Sequence, residues 1–177
     1  MFCLSDNTVK MKQGGCFMCD ILKEIYYKTN GNVFDFAIKD DRIALQKTVY
    51  LLMNMGINVG DYSFEWSQNG PYSVTLDADA FKYKTRELKE DIQFTEIAMS
   101  KMERLVEYIK EGSEKFSDYT RTRWLECVAS LHYLKFILCV GKSEEDVLSI
   151  LQTRKDYLNN YNANVRALEI ANEIENM

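Results

Sequence analysis

A single proline, Pro71, in 177 residues is the feature that most constrains this chain. Proline lacks a backbone donor and breaks helix interiors, so a chain nearly free of it can run long helices without interruption. The spacing of apolar residues predicts that it does. Phe17, Ile21 and Ile25 recur every four residues, with Leu22 beside them, and predict a helix over 16–29. Asn30-Gly31-Asn32 closes it. Leu45, Val49 and Leu52 give a second helix from Asp40 or Asp41 to about Met55, with an aspartate as its cap and Gly56 as its stop.

Pro71 falls where the pattern changes. In Tyr62-Ser63-Phe64-Glu65-Trp66-Ser67 aromatic and polar residues alternate, the period of a half-buried strand. A lone strand leaves its ladder unpaired, and Phe34, Phe36 and Ile38, alternating nearby as a short strand or a loop packed on the core, are the nearest candidate partner. Asn69-Gly70-Pro71-Tyr72 reads as a turn, and Ser73 as the cap of a helix reaching about Leu88. Beyond it the pattern is helical throughout: 97–111 stopped by Gly112, 117–140 stopped by Gly141, then 144 to about 157, opened by the capping-box-like Ser143-Glu144-Glu145-Asp146, and 162–175 with Val165, Leu168, Ala171 and Ile174 inward. The expected fold is mostly α with a small β-hairpin and a winged-helix-like N-terminal half. Residues 1–15 read as a flexible lead, and 16–177 as one helical domain. Its helix–strand–turn half (16–111) meets its helical half (117–177) through a short loop.

Charge narrows the function classes. A net charge of −5 gives no global pull toward nucleic acid. No stretch approaches the roughly 20 apolar residues that span a bilayer, and Met1–Gly15 lacks the apolar core of a signal peptide. Five cysteines without a secretion signal predict free thiols and a cytoplasmic setting.

Few residue patterns suggest chemistry. Cys16-Phe17-Met18-Cys19 is half of a zinc site with no second pair. Cys127 and Cys139 lie about 18 Å apart along one predicted helix at 1.5 Å per residue, too far to share an ion. No metal or cofactor is expected. His132, the single histidine, is the one candidate general base. Cys127, five residues earlier, is turned about 140° away from it on a helix. A hydrogen-bonded histidine at the core edge is the simpler reading. Glu87, Glu90, Asp91 and Glu96 read as a solvated face, and Gly14-Gly15 lacks the lysine of a phosphate loop. Basic pairs occur at Arg121 with Arg123 and at Arg154 with Lys155. Arg42, Lys47, Lys82, Lys84 and Arg86 fall near the turn. They keep a winged-helix nucleic-acid contact open, diluted by neighbouring acids. The aromatics Tyr62, Phe64, Trp66 and Tyr72 read as core, or as a binding hot spot where exposed.

Leu45-Gln46-Lys47-Thr48-Val49-Tyr50-Leu51-Leu52, Gly56, Tyr62–Trp66 and Gly70-Pro71-Tyr72-Ser73, with Trp124-Leu125-Glu126, Ala129–Tyr133 and Lys155, resemble the YwgA-like family of prokaryotic proteins. The resemblance spans most of the chain from about residue 40. More distantly the chain is similar to the Panacea (SocA-like) antitoxin domain. These resemblances imply a protein that neutralises or escorts a partner protein, and they bring no catalytic residues. Gln46, Lys47 and Tyr72 are polar or amphipathic without an evident packing need. With Gly70, Pro71 and Ser73 they form the expected partner-binding surface. The expected function is a non-catalytic binding or regulatory protein, antitoxin- or adaptor-like. Its alternatives are a winged-helix nucleic-acid binder and an enzyme with a site near His132.

Overall fold

A computed structural model describes residues 17–82 and 92–177, with side chains from residue 21 onward. Among these residues the chain is mostly helical and carries one two-stranded hairpin. Helix α1 (Phe17–Asn30) and helix α2 (Lys39–Asn54) follow the expected periodicity. The predicted aspartate cap is absent. Ile38 holds the cap position without a side-chain bond, and Asp41 instead turns back to accept from the Asp35 amide at 2.9 Å. The Phe34–Ile38 segment is therefore a packed turn, not a strand. Its rings stack edge-on with Tyr26 and Phe81.

The strand partner lies instead immediately downstream. Strand β1 (Glu65–Ser67) pairs antiparallel with β2 (Gly70–Tyr72), Trp66 opposite Pro71, so only Gln68 and Asn69 cross between them. The expected turn at 69–72 is thus mostly strand. Gly70, at φ 85°, takes the left-handed conformation that lets so short a connection close. It also lets Ser130 approach, since a Cβ there would sit 2.4 Å from the Ser130 Oγ.

Ser73 caps helix α3 (Val74–Lys82) as expected, accepting from the Leu76 amide. The remainder of that predicted helix, to Leu88, lies outside the described residues, as do the 1–15 lead, Cys16, Lys84, Arg86, Glu87, Glu90 and Asp91. Helix α4 (Glu96–Lys115) runs straight through Gly112, which was expected to stop it. The glycine is there for packing: a methyl group would fall 1.9 Å from Trp124 Cε2. Trp124 is fully buried, stacks on Phe116 and donates to the Tyr108 carbonyl, so it has nowhere to move. Gly112→Ala is expected to cost about 1–3 kcal/mol through overpacking, read as a lower urea midpoint with unchanged slope.

Helix α5 (Arg121–Tyr133) is capped by Thr120 and buried on every side. It widens into a π turn (Leu134–Leu138), whose Cys139 amide bonds the Leu134 carbonyl five residues back. The predicted single helix over 117–140 is therefore shorter at both ends. Helix α6 (Glu144–Arg154) starts at the Ser143 cap, and helix α7 (Tyr161–Glu175) lies along α5. Of the four α7 residues read as inward, Val165 is only half-buried. One hydrophobic core draws on all seven helices and places α5 at its centre, between α2, α7 and β2. No helix among the described residues is long and apolar enough to cross a membrane.

Candidate functional site in the cleft between the second helix and the hairpin

The hairpin is held by buried polar side chains that reach it from two directions. From α2, Gln46 grips Ser73 as a peptide group would: its amide donates to the Ser73 carbonyl at 3.0 Å and its oxygen accepts the Ser73 amide at 2.9 Å. From the next residue of the helix, the Lys47 ammonium donates to the Pro71 carbonyl at 2.6 Å. Both side chains are buried, Lys47 to 1% exposure. The packing need that the sequence hid is this one, since backbone groups buried on the inner edge of β2 must find partners.

From the other side come α5 and the segment after α6. Glu126 lies in the core beside Lys155, 2.6 Å from its ammonium. Lys155 also donates to the Gln68 carbonyl at 2.6 Å, and Asn69 reaches the second Glu126 oxygen at 3.4 Å. The Tyr157 hydroxyl closes the group with a short bond to Glu126. Lys155 and Arg154 both lie over the Trp66 ring at 5.4 Å. Burial pushes the Lys155 ammonium below its usual range, opposed by the Glu126 carboxylate. Burial lowers Lys47 further, from 10.5 to about 7, with Glu126 pulling it up and Lys155 pushing it down.

Between α2 and the hairpin opens a cleft of about 220 Å³, lined by Lys39, Arg42, Lys47, Asn69, Tyr72 and Asp77, among others. Lys39 is exposed and Arg42 half-buried. The Arg42 guanidinium donates to the Phe36 carbonyl at 2.6 Å and lies over the Phe36 ring. Tyr72 is half-buried, and its hydroxyl is pushed up by burial and by the Asp77 carboxylate. A second cleft, of about 540 Å³, lies between the end of α4 and the start of α7. There the Arg166 charge is already spent on Glu111, Glu169 and Glu173.

The expected partner-binding residues therefore come together in one place with different exposures. Gln46 and Lys47 are buried and line the cleft, Tyr72 is half-buried and lines it too, while Gly70, Pro71 and Ser73 are buried beside it without lining it. The basic residues do not come together. Lys155 is buried against Glu126. Arg121 is half-buried and donates to the Thr29 carbonyl, whereas Arg123 and Arg154 are exposed on different helices. Sequence reasoning missed Glu126, Asn69 and Lys39. Glu126 had a signal: it is the one acidic group in Trp124–Tyr133, a stretch so apolar all round that its helix must be buried. A charge there needs a buried cation.

His132 is fully buried. Its Nδ1 lies 2.8 Å from the Tyr50 hydroxyl, and its Nε2 lies 3.2 Å from a Glu175 carboxylate oxygen. A neutral ring can accept from the tyrosine hydroxyl at Nδ1, while Nε2 makes no hydrogen bond. A general base must reach its substrate, and this ring is sealed from solvent. Burial lowers its pKa from 6.5 to about 4. Between those values the unfolded chain takes a proton that the fold refuses, so stability falls as pH drops through the window. The loss is up to about 3 kcal/mol. His132→Phe is expected to flatten that part of the stability–pH curve, measured by urea unfolding at pH 4.5 and 7.

Cys127 is buried beside Asn164 and Cys139 half-buried, both as thiols. Among the described residues no three His, Cys, Asp or Glu side chains converge as metal ligands. No family model, curated protein or solved structure matches the chain.

Proposed function

We propose that this chain is a non-catalytic binding or regulatory protein, antitoxin- or adaptor-like, that recognises a partner protein at the cleft between α2 and the hairpin. The observation that carries this reading is that the cleft's wall is fixed in advance. Four side chains distant in sequence, Gln46, Lys47, Glu126 and Lys155, hold a hairpin with only two crossing residues. A surface already ordered loses little conformational entropy on binding, which is where much of an interface's free energy is otherwise spent. Tyr72 and Arg42, an aromatic and an arginine at the mouth, are the residue types that dominate binding hot spots.

The test is site-specific crosslinking in the native host. A photoreactive phenylalanine at position 72 is expected to capture one dominant protein. The same group at the exposed Gln152 on α6 is expected to miss it. Identical adducts from both positions, or none from either, would count against the reading. Capture of duplex DNA from position 72, weakening steeply with salt, would favour the nucleic-acid alternative instead.

A further inference from the structure

We infer that the cleft between α2 and the hairpin is an anion site that seats a carboxylate of an extended peptide against Lys39, Arg42 and Lys47. This rests on the reading of the same cleft as the partner-binding surface and names the chemistry it selects. Its volume of about 220 Å³ suits one side chain or a chain terminus, not a folded element. Three cations of α2 line it, and Asp77 is the one acid among its lining residues. Among the described residues none of the three cations has a carboxylate within ion-pairing distance. In a chain of net charge −5, with 27 acidic residues against 22 lysines and arginines, three such cations beside one cleft need an explanation.

Arg42 is oriented before any ligand arrives, because its bond to the Phe36 carbonyl and its ring contact fix the guanidinium plane. A fixed planar fork matches a carboxylate with two parallel bonds. Lys47 at the wall spends one hydrogen on Pro71 and keeps two. Ser67, Asn69 and Tyr72 supply neutral hydrogen-bonding groups around them.

Among the described residues, charged and titrating groups reach the Lys47 ammonium from several elements. Glu126 on α5 attracts it and is occupied by Lys155, which repels it from the segment after α6. Lys39 and Arg42 stand on its own helix, Tyr72 on β2 and Asp77 on α3. A carboxylate entering the cleft adds the missing countercharge. Above neutral pH the amine then takes up a proton as the anion binds.

The experiment titrates the full chain with three tetrapeptides, followed by amide shifts of residues 67–73 and by calorimetry. N-acetyl-tetraglutamate amide offers side-chain carboxylates. N-acetyl-tetraglutamine with a free terminus offers one terminal carboxylate. The tetraglutamine amide offers none. The inference expects at least one charged peptide to bind ~10-fold or more tightly than the neutral one, a 1.4 kcal/mol difference, and the better of the two identifies the source of the carboxylate. Lys39→Gln with Arg42→Gln, both outside the core, is expected to remove that advantage with an unchanged melting temperature. Calorimetry at pH 8 in two buffers of different ionisation enthalpy is expected to show proton uptake, absent in Lys47→Met. Equal binding of all three peptides, binding of none, or binding of inorganic phosphate alone would overturn the inference. Capture of a partner from position 72 without acid-peptide binding would sink the inference and leave the partner reading standing. Acid-peptide binding without a captured partner would do the reverse.

Discussion

Replacing Lys47 by methionine is expected to leave the protein at least as stable at pH 7 and to erase much of the rise in its stability between pH 7 and 9. The sign follows from where the proton sits. Lys47 has a pKa of about 7 in the fold against an ordinary 10.5. Between those values the unfolded chain binds a proton that the folded chain has released, so folding becomes more favourable as pH rises. Below pH 7 both states hold the proton and the burial penalty is constant, at about 5 kcal/mol. From pH 7 to 9 roughly 2 kcal/mol of it is relieved. The window ends there because the Cys127 thiol, pushed up by burial, and the buried tyrosines oppose further gain at higher pH. Methionine keeps the volume and removes the charge, leaving the Pro71 carbonyl unpaired at a cost of about 1–3 kcal/mol. A net gain of about 1–3 kcal/mol at pH 7 is the expected balance, read from urea unfolding at half-unit pH steps. A variant less stable than the parent at pH 7, with the same pH slope, would mean that the ammonium is not an unpaired buried charge.

Removing the partner of the other buried lysine should have the opposite effect. Glu126→Leu leaves Lys155 at 1% exposure without its carboxylate, and loss of one member of a buried pair costs about 3–5 kcal/mol. The damage should be local before it is global. The Glu126–Lys155 pair holds Gln68 and Asn69, so amide exchange across 66–72 should accelerate more than that of α7. The double variant Glu126→Leu with Lys155→Met should recover most of the lost stability, because two well-packed apolar chains replace a desolvated pair. Failure of the double variant to recover stability would show that the bonds of Glu126 to Tyr157 and Asn69, rather than its pairing with Lys155, hold the hairpin.

Much of the candidate site was legible in sequence by position but not by role. Gln46, Lys47 and Tyr72 were singled out because nothing in periodicity accounted for them, and all three line one cleft, with Ser73 and Pro71 bonded to the first two. Their burial was not legible. A lysine or glutamine on a helix is normally solvated, and only the arrival of β2 on that face turns Gln46 and Lys47 inward. Gly112 shows the same limit. In sequence a glycine after a run of helix signals a stop, and in space it makes room for Trp124, twelve residues later.

The sequence alone determined what depends on neighbours along the chain. Helix faces repeat every three or four residues, and Ser73 and Ser143 cap the helices that follow them, whereas of the strand read over 62–67 only Glu65–Ser67 pairs. These are short-range effects of backbone geometry and local hydrogen bonding. Tertiary structure decided which charges are buried and which side chains come together at the cleft. Those depend on groups 24 to 87 residues apart, such as Lys47 with Pro71 and Lys155 with Gln68. Their energies come from desolvation, which exists only once the core has closed around them.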